Sequence, residues 1–125
     1  MITKYQWKDV WLLASIAMAE NSDDVNSSGT HKKLVKSSPD LAKLKNIEHV
    51  ISAGDYIDRS TFTVDELTIG IKNLLEGEFI EIENDYLKTT RKTNEYYEKE
   101  MGDRKHISIK TALSIFKQLL DVKSN

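Results

Sequence analysis

Cysteine is absent from the 125 residues, which excludes disulfides and thiolate metal sites and leaves nothing that requires an oxidising compartment. Long hydrophobic runs are missing as well. The longest, residues 10–19 broken only by Ser15, falls short of the roughly 20 residues that a helix needs to cross a bilayer. Lys4, Lys8 and Asp9 precede it, so the sequence predicts a core helix in a cytoplasmic, membrane-free chain rather than a leader or anchor. Histidine occurs at 31, 49 and 106 only, with no two at the i, i+4 spacing of a helical metal pair, which predicts no metal site. Neither a Gly-rich phosphate loop nor a Ser-His-Asp arrangement is present, and no repeat emerges. The expectation is a protein that is not an enzyme and carries no cofactor.

An excess of one charge is also lacking overall, since 18 basic and 20 acidic residues give a net charge of -2 and no global pull towards a polyanion. The distribution is uneven. Residues 47–87 hold ten acids against Arg59 and Lys72, a local net of -8. With 39% apolar and 30% charged residues, and a length suited to one hydrophobic core, the chain has the composition of a single domain spanning 1–125.

Trp7, Val10, Trp11, Ala14, Ala17 and Met18 recur on one helical face, and Leu12, Leu13 and Ile16 widen it, so the first helix is expected at the centre. Trp7 and Trp11 then line either the core or a partner groove. "NSDDVNSSGT" carries almost no apolar side chain and predicts a flexible loop, drawn here over 21–37. Ser38 before Pro39 is a helix start, and Leu41, Leu44, Ile47, Val50, Ile51 and Ile57 continue a helical rhythm. Asn46 is a possible second cap, so this stretch is either one kinked helix or two.

In "FTVDEL", Thr63 and Glu66 have capping-box spacing, with Phe62 and Leu67 placed as a hydrophobic staple. That helix should end at Gly77 in the left-handed conformation. Phe79, Ile80 and Ile82 alternate with Glu81 and Glu83 up to Asn84-Asp85, and Tyr86 to Thr89 return, which predicts a β-hairpin. Thr90 would cap the next helix, with Tyr96 and Tyr97 inward and Gly102 near its end. A last amphipathic helix over 107–123 starts at Ser108 and carries Ile109, Ala112, Leu113, Phe116, Leu119 and Leu120 on one stripe. The carboxylate pairs Asp55/Asp58 and Asp65/Glu66 are explained by an inter-helix turn and by a helix dipole.

This order, mainly α with one small antiparallel hairpin (α+β), resembles a winged helix-turn-helix domain across 10–97. Residues 51–57 match its second helix and 64–76 its third, while "GEFIEI" and "YLKTT" match the wing strands. "DYIDRSTFTVDELTIGIKNLL" is further similar to small uncharacterised bacterial members that carry Asp-x-Ile-(Asn/Asp) before Phe-Thr-x-x-Glu-Leu. The resemblance implies a transcription-regulator-like protein that binds double-stranded DNA, with Thr68, Lys72 and Asn73 reading the groove and Lys88, Arg91 and Lys92 on phosphate. It also implies a homodimer through Ile109, Leu113, Phe116 and Leu120. "HKKLVKSSPDLAKLK" is either an arm for DNA or a solvated face. The acidic third helix and wing fit phosphate poorly, and they suggest the alternative of a protein-interaction module with a basic partner.

Overall fold

The computed structural model describes residues 5–20 and 34–122. The Ser/Asn-rich stretch, His31, Lys32 and Lys33, and the end of the expected C-terminal helix at 123 lie outside the described residues. Among the described residues five longer helices, one single-turn helix (α2) and one hairpin follow each other as α1 (Trp7–Glu20), α2 (Pro39–Ala42), α3 (Ile47–Asp58), α4 (Val64–Glu76), β1 (Ile80–Glu83), β2 (Tyr86–Thr89), α5 (Arg91–Met101) and α6 (Ile109–Leu119). The chain is therefore mainly helical with a two-stranded antiparallel sheet, the α+β class read from the sequence. Residues 34–36 are helical although loop was expected as far as 37, because Leu34 and Val35 pack against the core.

The first helix is central, packing on α3, α4, α6 and β2, and Val10 through Ile16 are all buried. Trp11 explains how α1 and α3 approach. Its indole N–H donates to the Gly54 carbonyl at 2.9 Å, and its ring stacks on Phe62 with centroids 3.8 Å apart. A side chain at 54 would collide with the Phe62 ring, so glycine there lets Phe62 lie between the two helices. Trp7 departs from the predicted face and is 41% exposed, whereas Asp9 is buried. The Asp9 carboxylate turns back to accept the Gln6 N–H at 2.9 Å, which closes the free N-terminus of α1.

The stretch after Pro39 is two helices. Ser38 caps the first, its Oγ accepting the Leu41 N–H. Asn46 stands at the cap position of α3 but makes no capping bond with its side chain, which is used elsewhere. The third helix ends on Arg59 at φ 55, and the chain re-enters α4 through the predicted capping box: Thr63 N–H donates to Glu66 Oε1 at 2.9 Å, and Glu66 N–H to Thr63 Oγ1 at 3.0 Å. Phe62 and Leu67 are both buried, as a staple requires.

The exit from α4 differs from expectation. Gly77 is right-handed at φ -81, and the left-handed residue is Glu78 at φ 63. Glycine is required at 77 for space: a Cβ there would meet the Tyr5 hydroxyl and the Phe79 ring. The hairpin pairs Ile80 with Thr89 and Ile82 with Leu87, turning through Asn84 and Asp85 at φ 53 and 68, the two positive values of a type I′ turn. Thr90 precedes α5 without capping it, because its Oγ donates to the Glu78 carbonyl at 2.7 Å.

Tyr96 and Tyr97 are half-buried, Tyr97 stacking on Phe116 of α6 with centroids 5.0 Å apart. Ser108 caps α6 as predicted. Phe116 and Leu120 belong to the core of this chain and only Ile109 and Leu113 remain half-buried, so the dimer expected through these four side chains loses two of them to α1 and α5. Among the described residues no helix is long and apolar enough to cross a membrane.

Candidate interaction surface

Helix α4 and the hairpin behind it form the unit that carries Thr68, Lys72, Asn73 and Lys88, with Arg91 and Lys92 on the first turn of α5 beside it, and its inner side is fixed by distant polar groups. The buried Asn46 amide grips the Leu87 peptide from both ends, Nδ2 donating to Leu87 O and Oδ1 accepting Leu87 N–H, each at 2.9 Å. Lys45 N–H donates to Asp85 O at 2.7 Å, so residues 45–46 run along β2 much as a third strand would. The Glu20 carboxylate accepts from Thr89 N–H at 2.6 Å and lies 2.8 Å from Thr89 Oγ, which is also 2.8 Å from the Asn94 amide. One hydroxyl proton cannot serve both, so Thr89 donates to Glu20 and Asn94 turns its Nδ2 to donate to Thr89. Thr93, fully buried, donates to Phe79 O at 2.8 Å.

The six residues suggested for nucleic acid do not share one situation. Thr68 and Lys72 are exposed on the outer side of α4. Asn73 is half-buried, its side chain on the Asp9 carboxylate and its carbonyl accepting the Tyr5 hydroxyl at 3.1 Å. Burial pushes the Asp9 carboxyl above its ordinary value, opposed by the Gln6 N–H and Asn73, and burial likewise raises the Tyr5 hydroxyl, helped by Asp9 and Glu76.

The three hairpin-side cations are all engaged within the chain. Lys88 pairs with Glu83 at 3.1 Å, and this hydrogen bond holds its ammonium pKa above the usual value. Arg91 pairs with Glu95 one turn on, at 2.9 Å. Lys92 donates to Gly77 O at 2.7 Å and sits 4.1 Å over the Phe79 ring, covering the C-terminal end of α4.

What faces outward is acidic and partly apolar. Asp65, Thr68, Ile69, Lys72 and Glu76 form one exposed stripe along α4, with Ile69 at its centre and 59% exposed. Ile82 and Tyr86 are each 45% exposed on the hairpin. Across residues 64–89 seven acids stand against Lys72 and Lys88. Glu66 is bridged by Lys8 at 3.4 Å; burial raises its carboxyl, but the Thr63 N–H, Lys8 and the Thr63 hydroxyl together bring it below its ordinary value. Among the described residues Asp65, Glu76, Glu78, Glu81 and Asp85 make no ion pair. Sequence reasoning missed Ile69, although its signal was present: it lies two residues from both Leu67 and Ile71, about 200° off their shared inward face.

Among the described residues no group of three or more His, Asp or Glu side chains is arranged to hold a metal ion. Comparison with known proteins yields no matching family model, no matching curated protein and no matching solved structure.

Proposed function

We propose that this chain is a non-enzymatic interaction module of the winged-helix type, whose α4 and hairpin present an acidic face with an apolar centre to a basic protein partner. One observation carries the reading: Lys88, Arg91 and Lys92 are each engaged within the chain, by an ion pair or by a backbone carbonyl, while five carboxylates of α4 and the hairpin have no ion pair among the described residues. Such a face repels phosphate and attracts Lys or Arg. The exposed Ile69 supplies what charge alone lacks, an apolar contact that a partner can desolvate.

The element order, the capped helix and the segment along β2 support the winged-helix comparison. The DNA-binding reading retains Thr68 and Lys72 as exposed candidates, while Asn73 is occupied by Asp9 and Tyr5. Two cations or fewer on that side would leave phosphate binding weak and steeply salt-dependent.

Binding of the full chain to a labelled duplex and to poly-L-lysine, followed by fluorescence anisotropy across a salt series, separates the readings. Poly-L-lysine should bind at low salt and lose at least tenfold in affinity when Asp65 and Glu76 are both changed to Lys, with no duplex binding. Duplex binding at low salt that Lys72→Ala weakens would replace this proposal with the DNA reading.

A further inference from the structure

The two edges of the hairpin are treated differently, and the difference identifies how a partner would dock. Thr90 N–H donates to Phe79 O at 3.1 Å, which makes that pair a hydrogen-bonded one. In an antiparallel ladder bonded and non-bonded pairs alternate. With Ile80 opposite Thr89 and Ile82 opposite Leu87, the peptide groups of Ile80 and Ile82 point away from β2, and those of Leu87 and Thr89 point away from β1.

Along β2 these outward groups are answered by side chains: Asn46 takes both polar groups of Leu87, and Glu20 takes the Thr89 N–H. Along β1, Ile80 is only 2% exposed, but Ile82 is 45% exposed and its peptide groups make no hydrogen bond among the described residues. An open strand edge with an exposed apolar side chain is a template for another strand.

Charge selects the occupant. Glu81 and Glu83 flank Ile82 on the strand, Glu78 precedes them and Asp85 lies in the turn, with Lys88 facing them from β2 and Lys45 5.6 Å over the Tyr86 ring. A second copy adding antiparallel at Ile82 would set Glu81 against Glu83, carboxylate opposite carboxylate, which is destabilising. An extended segment that alternates Lys or Arg with an apolar residue would place its cations by Glu81 and Glu83 and its apolar side chain by Ile82.

We infer that the open edge of β1 around Ile82 receives an extended, basic-apolar alternating segment of another protein as an added strand. The inference rests on the acidic-face reading and specifies its binding mode.

A labelled peptide alternating Lys and Val tests it on the full chain, with amide hydrogen exchange read residue by residue by NMR. Saturating peptide should slow exchange at Ile82 at least tenfold. Because the Ile82 N–H lies off the β1–β2 ladder, Ile82→Pro should leave the hairpin folded, as circular dichroism melting can verify, and weaken peptide binding by roughly five- to tenfold. Peptide binding with no added protection at Ile82 would overturn strand addition while leaving the acidic face intact as a docking surface. Absence of binding by both this peptide and poly-L-lysine would remove the two proposals together.

Discussion

The inner and outer sides of the α4–hairpin unit follow different rules. Inside, polar groups are answered over long distances: Asn46 holds Leu87, Glu20 holds Thr89, and Thr93 holds Phe79. Outside, carboxylates stand around the exposed Ile69 and Ile82 with few partners. Buried polar groups must be paired for the fold to form, whereas surface charge beyond a few pairs adds little to stability. The unpaired acids are therefore free to be chosen for something other than folding.

The comparison predicts that damage inside is read in stability. The largest effect belongs beneath the unit, at the Trp11–Phe62 stack. A methyl group at 54 collides with the Phe62 ring, and Phe62 has no room to retreat because it is 1% exposed and stacked on the indole. Gly54→Ala should lower stability by about 3 kcal/mol through overpacking, measured by urea denaturation. A loss under about 1 kcal/mol would mean that Phe62 shifts easily and that this side is less rigid than its contacts imply.

How much of this was legible follows from how far each cause reaches along the chain. The capping box, the staple and the Asn84-Asp85 turn were readable because their partners lie within a few residues and their residue types have one local use. Asn46 read as a cap for the same reason and does stand at the cap position of α3, but its side chain is spent 41 residues away, where the Leu87 peptide takes the same amide. Glu20 with Thr89, 69 residues apart, was invisible on the same ground. Asp9 stands just ahead of the apolar run, and periodicity could not show that its carboxylate would fold back on its own helix start. For the outer side the sequence was more informative than it first seemed, since the acidic stretch was countable and the exposure of Ile69 follows from the helical period. The engagement of Lys88, Arg91 and Lys92 was not, because pairing depends on side-chain reach.

An intermediate effect is expected at the joint between 45–46 and β2. Asn46→Ala leaves the Leu87 N–H and C=O without their partner at a position where the original side chain is buried. Removing it should destabilise by about 2 kcal/mol, the penalty of stranding buried peptide groups. Amide exchange adds the sharper reading: protection should fall first at Leu87 and spread along β2, while the Trp11 indole N–H keeps its own. Uniform loss of protection would show that the hairpin and the helical core open as one unit and that the inner side has no separate joint.

The smallest stability effect is the most informative about the outer side. Ile69→Ser removes an exposed side chain that belongs to no core cluster, so it should change stability by less than about 0.5 kcal/mol. The substitution also lowers the apolar content of the face, and poly-L-lysine, which needs only charge, should bind the variant as before. The Lys-Val peptide, seated on the hairpin, should be equally indifferent if β1 is its site, and weakened if it lies along α4 instead. A stability loss above about 1 kcal/mol would show that Ile69 is packed in solution and belongs to the fold. In that case the distinction between a side that folds and a side that meets partners would fail at its central residue.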